Sequence, residues 1–349
     1  MDTAKTGKRM RWVDILRGLA IVLVMLWHAL LIPRYFGHEV PQWATNANYF
    51  FAPYRMPTLM VLSGMLLETS LRKPLSSYFA GKFRRLAWPY VVWAAIWLLI
   101  APADPGTDVA LSMQDPKSWI ATGHLWFLFF LLCYYLVGPA IRWVPTRIPF
   151  VFVPLVVFAA SVPMPPGLPS KFCYFAGFFL MGTLASRHRQ RIESIRMGPA
   201  ILAVGLIALV FGSISAVYGE RLEFRAEFAV LSLAGIVGAA YVSQRIAAGR
   251  PADFLAFIGR DSLIVYVAHP PIMLGIFFMA EEFMDLPLSA LIGAILVLSA
   301  VVSIGLIALK DTAPFCWLFE APEWRHRRGG LDSDSAPFRG RNLSGRGRG

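Results

Sequence analysis

Ten apolar segments follow one another along this chain, and they constrain its fold more than any other feature. Most of them approach the roughly 20 residues that a helix needs to cross a bilayer; the third, fifth and sixth are shorter. Only 15% of the residues are charged, against about 25% in soluble domains. The sequence therefore predicts an all-α, polytopic transmembrane helical bundle of about ten spans. These lie at roughly 12–32, 47–67, 86–101, 123–141, 148–163, 172–186, 198–218, 228–243, 262–280 and 288–309.

The basic residues support this count and give the bundle an orientation. The formal net charge is +12, which in a soluble protein would suggest nucleic acid as a partner. When the N-terminus is placed in the cytoplasm, 26 of the 33 Lys and Arg residues fall in cytoplasmic segments, which agrees with the positive-inside rule. The charge therefore indicates membrane topology, and we expect both termini in the cytoplasm and no nucleic-acid partner.

The chain divides into a membrane domain and a basic tail. Residues 1–310 hold all ten segments, and no loop between them is large enough for a second folded domain. Residues 311–349 form the predicted cytoplasmic tail, which from Arg325 onward is rich in Arg, Gly and Ser. This composition is typical of disorder or of contact with anionic membrane lipid.

The first apolar segment, RWVDILRGLAIVLVMLWHALLI, carries three ionisable side chains. Asp14 lies three residues before Arg17, and His28 follows eleven residues after Arg17. Eleven residues make almost three helical turns, so the three side chains share one face, with His28 roughly 16 Å beyond Arg17. Ionisable groups inside a membrane are costly and are functional by default. This stripe predicts a site within the bilayer, in which Asp14 is expected to pair with Arg17.

Polar side chains mark three further places along the chain. Arg55 enters the second segment, where it either belongs to the site or reaches the outer headgroups. Lys82 and Arg85 precede the third segment, as a positive-inside cluster or as a phosphate site. His124, near the outer boundary of the fourth segment, could contact an acceptor or water.

The ninth segment, GRDSLIVYVAHPPIM, holds a second polar stripe. Ser262, Tyr266 and His269 are spaced i, i+4 and i+7, so they line one helical face. Pro270-Pro271 follow at once and are expected to break the helix directly after the histidine. The helix bearing His269 is expected to lie against the helix bearing His28, with both rings facing a shared cavity.

These motifs resemble those of the acyltransferase-3 family of bacterial integral-membrane O-acyltransferases. The family hallmark is an Arg, ten intervening residues and a His, matched here by Arg17 and His28. The stretch FAPYRMPTLMVLSGMLL is similar to the family pattern MP-x-L-x-x-x-LSG, and LWFL recurs in the fourth segment. Lys82 and Arg85 stand at the spacing of its Arg-x-x-Arg, and the ninth segment resembles a late family motif.

The resemblance implies transfer of an acyl group, with acetyl expected, from cytoplasmic acyl-CoA to a hydroxyl of a surface glycan or lipid-linked sugar. It also implies a bacterial cytoplasmic membrane location. His28 is then the catalytic base, because an imidazole can take the proton of an attacking hydroxyl. Arg17, Lys82 and Arg85 form the donor site. The residues that support the site or its acceptor side are Asp14, Arg55, Ser262, Tyr266 and His269.

Two other classes of function fit the same stripe. A transporter would use the His, Arg and Asp side chains as an ion relay, although no internal repeat of the kind common in transporters is evident. A structural or assembly protein would use them to hold helices together. The six histidines show no metal-ligand spacing such as HExxH. We therefore expect no metal, and no cofactor besides acyl-CoA as donor substrate.

Overall fold

The computed structural model describes residues 10–100, 113–143, 152–165, 167–188, 199–218, 225–246 and 248–322. Over these residues the regular structure is helical, with no β-strand. The α-helices are α1 Arg11–Tyr35, α2 Gln42–Gly64, α3 Leu67–Leu71, α4 Leu75–Lys82, α5 Trp88–Ile100, α6 Trp126–Val137, α7 Phe152–Ser161, α8 Leu168–Arg187, α9 Pro199–Tyr218, α10 Ala229–Arg245, α11 Arg250–Arg260, α12 Ser262–Phe283 and α13 Leu288–Leu309. Short 3₁₀ turns and one π-helical turn, Phe83–Ala87, connect some of them.

Seven helical stretches of the described chain are long and apolar enough to cross a membrane. They are Arg11–Tyr35, Gln42–Leu71, Leu75–Ile100, Gly123–Ala140, Ala226–Arg245, Ser262–Phe283 and Leu288–Leu309. Helix α7, Phe152–Ser161, and the part Ala203–Tyr218 of α9 are shorter apolar helices. Helix α8 occupies the remaining predicted segment. Every one of the ten predicted segments therefore contains a helix, and the predicted helical membrane bundle is confirmed.

Helix α1 lies at the centre of the bundle. It contacts α2, α10, α11, α12 and α13, and its side chains Ile21, Val24 and Met25 are buried in the main core. Around it, α2 packs against α8 and α9, and α12 packs against α13. The helix that carries the ionisable stripe thus packs against five other helices of the described chain, and charged groups in a membrane protein are tolerated where they face the bundle interior.

Helix α11 occupies a stretch that the sequence places between two spans. It buries Ala252, Ala256 and Ile258 and packs closely on the first half of α1. The two backbones approach so closely that a Cβ at Gly18 would lie 2.0 Å from the Leu255 carbonyl oxygen. A glycine is required at this crossing, because any larger residue would push the helices apart.

The structure corrects the expected break in the ninth segment. Helix α12 runs unbroken past His269, with Pro270-Pro271 inside it. A proline lacks the N–H that would bond the carbonyl four residues earlier. The carbonyl of Val267, four residues before the second proline, instead accepts a hydrogen bond from Nε2 of His124 at 3.2 Å. A side chain from a neighbouring element thus replaces the helical bond that Pro271 removes, and the helix continues.

Helix α2 uses the same arrangement at Pro53, which lies within the helix. The carbonyl of Tyr49, four residues earlier, accepts a hydrogen bond from Oγ of Ser215 on α9, at 3.2 Å. Proline-interrupted helices on both sides of α1 are therefore held intact by contacts with neighbouring elements.

The packed chain continues beyond residue 310, the predicted end of the membrane domain. The indole nitrogens of Trp88 and Trp93 donate to the carbonyls of Trp317 at 2.7 Å and Leu318 at 2.9 Å. Glu320 pairs with Arg84 at 2.9 Å. The segment 311–322 therefore folds back onto α5 and the π-helical turn. The rest of the predicted tail lies outside the described residues.

Candidate active site

A cavity of about 410 Å³ lies where the N-terminal ends of α1 and α12 meet the C-terminal end of α2 and the α4–α5 region. Five predicted site residues line it: Arg17, Lys82, Arg85, Ser262 and Tyr266. They come from segments far apart in the sequence, and the bundle brings them to one end of α1.

The cavity is strongly basic. Its lining includes the cationic side chains of Arg17, Lys73, Lys82, Arg85 and Arg260 and, among the described residues, no carboxylate. Several cations around one concave surface raise the local concentration of anions. Guanidinium and ammonium groups are also the side chains that hold phosphate oxygens. The cavity therefore suits a phosphorylated or otherwise anionic ligand.

Lys82 is held against the cavity wall by neutral groups. Its Nζ atom lies 3.3 Å from the centre of the Tyr135 ring and 3.3 Å from Oγ of Ser70. The Tyr135 hydroxyl donates to the carbonyl of Ser63 at 2.7 Å, which fixes the ring beneath the ammonium group. A cation over an aromatic face is stabilised without being neutralised, so the charge of Lys82 stays available to a ligand.

Arg17 and Arg85 occupy different depths of the cavity. The half-buried Arg17 guanidinium contacts the Leu62 carbonyl at 3.4 Å, at the outer limit of a hydrogen bond. Arg85 has a side chain that is 71% exposed and lies 3.3 Å from a carboxylate oxygen of Glu320. The π-helical turn that carries Arg85 adds a residue to the helical repeat, a feature frequent at functional sites. Arg85 therefore stands at the mouth of the cavity, and Arg17 lies deeper inside it.

Helix α12 packs on α1, as the sequence predicts, and the rings of His28 and His269 touch each other directly, which the sequence does not predict. The Nε2 atom of His269 lies 3.2 Å from Nδ1 of His28, and the ring centres are 4.9 Å apart. The described lining of the basic cavity includes Tyr266 but neither histidine. The ring of Tyr266 also lies 6.4 Å from the ring of His269. This tyrosine therefore forms the boundary between the cavity and the histidine pair.

His124 is the third member of this group. Its ring lies 6.3 Å from that of His269 and 4.8 Å from that of Trp97, and the Tyr266 hydroxyl donates to its backbone carbonyl. Its buried Nδ1 atom has no hydrogen-bond partner among the residues that the structure describes. Within that same part of the chain, no group of three His, Cys, Asp or Glu side chains is arranged to hold a metal ion.

Arg55 belongs to the interior of the protein and does not reach the headgroups. The residue is only 5% exposed. Its guanidinium donates to Oδ1 of Asn48 and lies 5.2 Å from the ring of Trp27, the neighbour of His28 in sequence. Asp14 is buried as well; its pairing with Arg17 stays a prediction.

The comparison with protein families agrees with these motifs. A sequence profile described as an acyltransferase domain, that of the acyltransferase-3 family, matches residues 10–308. The chain belongs to the acyltransferase-3 family. The match runs from the residue before α1 to the last turn of α13, so it takes in the cavity residues and all three histidines of the site.

One curated relative is similar to this acyltransferase-3 protein at low identity. It is the succinoglycan biosynthesis protein ExoH of Rhizobium meliloti (strain 1021), 22% identical over 243 residues. The aligned region covers 62% of this chain and 65% of ExoH, slightly less than two thirds of that relative. No solved structure matches the chain.

Several residues of the site carry little distinguishing signal in the sequence. Lys73 and Arg260 are indistinguishable in sequence from other positive-inside residues, and Tyr135 is one aromatic among many in an apolar helix. The sequence marks His124 only as a histidine near the outer boundary of the fourth segment. Its buried position beside His269 depends on how α6 and α12 meet, for which a single sequence holds no signal.

Proposed function

We propose that this acyltransferase-3 protein transfers an acyl group, with acetyl expected, from cytoplasmic acyl-CoA to a hydroxyl acceptor on the outer side of the bacterial cytoplasmic membrane. The basic cavity at the N-terminal end of α1 is the observation that supports this best. Its cations suit the phosphates of coenzyme A, and a base, His28, stands farther along the same helix.

The donor is placed with its charged part at the cavity. Arg85 at the mouth and Arg17 and Lys82 farther in would hold the phosphates and the start of the pantetheine arm. Arg17 and His28 are separated by roughly 16 Å along α1, a distance that a long, thin, uncharged arm can bridge. The thioester would thereby reach the histidine while the charged nucleotide stays at the end of the bundle.

His28 acts on the acceptor hydroxyl. The hydroxyl oxygen attacks the thioester carbonyl while Nε2 of His28 takes its proton, so a C–O bond forms. The C–S bond then breaks, and the leaving coenzyme A thiolate takes the proton back from the imidazolium. General-base help of this kind contributes about 10²- to 10⁴-fold. The histidine is regenerated, and no further co-reactant is needed.

The acceptor class is a sugar hydroxyl of a surface polysaccharide or of its lipid-linked precursor. The name of ExoH connects that relative with biosynthesis of succinoglycan, and this supports a glycan acceptor here. Both termini are placed in the cytoplasm, because this orientation puts the basic cavity on the side where acyl-CoA is made and most Lys and Arg residues on the inside.

The test uses purified full-length protein with radiolabelled acetyl-CoA and a bacterial surface oligosaccharide as acceptor. Wild type should bind acetyl-CoA and move the label to the oligosaccharide. His28→Gln should bind acetyl-CoA normally and lose about 10²- to 10⁴-fold in transfer. His38→Gln, which changes a histidine paired with Glu281 away from the site, is the matched control.

Two results would reject the proposal. One is a wild-type protein that neither binds acetyl-CoA nor cleaves its thioester. The other is ion flux through proteoliposomes that depends on His28 while acetyl-CoA stays intact, which would favour a transporter.

A further inference from the structure

The two contacting histidines are each anchored by the same backbone bond. Nδ1 of His28 lies 2.9 Å from the carbonyl of Val24, and Nδ1 of His269 lies 2.8 Å from the carbonyl of Val265. In each case the carbonyl belongs to the residue four positions earlier in the same helix. A carbonyl oxygen only accepts hydrogen bonds, so each Nδ1 atom must carry a proton.

This protonation determines the direction of the contact between the two rings. A neutral histidine with its proton on Nδ1 has a lone pair on Nε2. The Nε2 atom of His269 is the one that faces Nδ1 of His28, at 3.2 Å. The Nδ1–H of His28 is therefore shared between the carbonyl of Val24 and the lone pair of His269. The two rings stand 75° apart in an edge-on arrangement, which lets the N–H of one ring meet the lone pair of the other.

The protonation state of the remaining nitrogen of His28, Nε2, follows from this arrangement. With its proton on Nδ1, neutral His28 keeps its lone pair on Nε2, on the opposite side of the ring from His269. When Nε2 takes a proton, the N–H on Nδ1 still has two acceptors to stabilise the imidazolium. Both nitrogens of His269, by contrast, are already in use, and the residue is 0% exposed. His269 has no free lone pair with which to accept a substrate proton.

We infer that His269 is a positioning residue, which holds His28 in the tautomer and ring orientation that present Nε2 as the base. This inference rests on the proposed role of His28 in acyl transfer. It gives His269 a part in the reaction that is distinct from packing and distinct from proton transfer to or from substrate. His269 accepts the Nδ1–H of His28, as a carboxylate or carbonyl does beside other catalytic histidines, without placing a negative charge in the membrane.

Two substitutions separate the possible roles. His269→Gln offers an amide oxygen that reaches about as far as Nε2 and can still accept the N–H of His28. His269→Leu fills similar space without an acceptor. The control His38→Leu makes the same chemical change at the histidine that pairs with Glu281. Steady-state transfer from acetyl-CoA to oligosaccharide gives kcat and both KM values for each variant.

We expect His269→Leu to lower kcat roughly 10- to 100-fold, the effect of losing one positioning hydrogen bond, with the KM for acetyl-CoA unchanged. His269→Gln should recover a large part of that loss, and His38→Leu should match wild type. Full kcat in His269→Leu would show that His269 only packs. An equal loss in His269→Gln and His269→Leu would also overturn the inference, because an acceptor alone would then not suffice.

A second measurement does not depend on activity. ¹⁵N NMR of wild-type protein with labelled histidines, with resonances assigned through His28→Gln and His269→Gln, reports which nitrogen carries the proton. Neutral His28 should be protonated on Nδ1. Protonation on Nε2 would overturn the inference even if transfer occurs. A wild-type protein that shows the expected tautomer but transfers no acyl group would reject the proposed function instead.

Discussion

Nε2 of His124 donates to the carbonyl of Val267 across 3.2 Å, and the usual helical donor to that carbonyl does not exist because residue 271 is proline. The bond joins the 3₁₀ turn before α6 to the first third of α12, two residues before His269, whose ring contacts His28. Pro271 thus leaves a carbonyl free to accept from His124, and this bond holds His124 beside the other two histidines of the site.

This relationship predicts a non-additive pair of substitutions. His124→Leu should destabilise the protein by about 0.5–2 kcal/mol, because the Val267 carbonyl loses its partner inside the membrane. Pro271→Ala restores the missing N–H, so His124→Leu/Pro271→Ala should lose clearly less than the two single changes together. The free energy of unfolding is measured in mixed micelles for wild type, the two single variants and the double variant. Additive losses would mean that the bond contributes nothing to stability.

Arg17 should be needed for donor binding and not for folding. Arg17→Ala should weaken acetyl-CoA binding by roughly 10-fold or more, the effect of losing a charge-assisted hydrogen bond to phosphate. Arg17→Lys should recover only part of the loss, since lysine keeps the charge but not the planar pair of donors. Equilibrium binding measures the effect, with Arg225→Ala as a control outside the cavity. Wild-type affinity in both Arg17 variants would remove this residue from the donor site.

Transfer should depend on pH with a defined sign. The neutral imidazole of His28 is the active form, so the wild-type rate at saturating acetyl-CoA should rise with pH as His28 loses its proton. Among the described residues, His269 from α12 contacts this ring, and Arg55 from α2 and His124 interact with it electrostatically. The residual rate of His28→Gln should lack this rise. A rise that persists in that variant would assign the titration to another group.

The proposed orientation can be tested with single cysteines in a variant whose three native cysteines are replaced by serine. Glu39 and Asp311 are both exposed and lie at opposite ends of the bundle. Glu39→Cys should react with an impermeant thiol reagent on intact cells. Asp311→Cys should react only after the membrane is permeabilised. The reverse pattern would place both termini outside.

The segment 311–322 should stabilise the bundle. A chain that ends at Lys310 loses the two indole hydrogen bonds from Trp88 and Trp93 and the pairing of Glu320 with Arg84. Its melting temperature in detergent should fall by several degrees, since a loss of about 1 kcal/mol shifts the midpoint by roughly 2–4 °C in a chain of 150–250 residues. A chain that ends at Pro322 keeps these contacts and is the control. Equal melting temperatures would show that the segment 311–322 does not stabilise the bundle.

Much of this protein was determined by local properties of the sequence. The lengths of the apolar segments set the positions of the helices, because a bilayer accepts only spans of a certain length whose backbone bonds are internal. The eleven-residue spacing of Arg17 and His28 placed both on one face of α1, because helical periodicity needs no information from the rest of the chain. The same reasoning placed Ser262 and Tyr266 on one face of α12, and both line the cavity.

Only the tertiary structure decided which faces meet. His28 and His269 are 241 residues apart and touch because α12 packs on α1. Uniformly apolar helices, however, do not specify their neighbours through hydrophobicity. In α12 the carbonyl freed by Pro271 is bonded by His124, a residue that the local rule for proline does not take into account. Helix α11 has local helix signals, with Pro251 in its first turn and buried residues at helical spacing, but its seat on α1 is set by close backbone contact at Gly18, a property of two surfaces together.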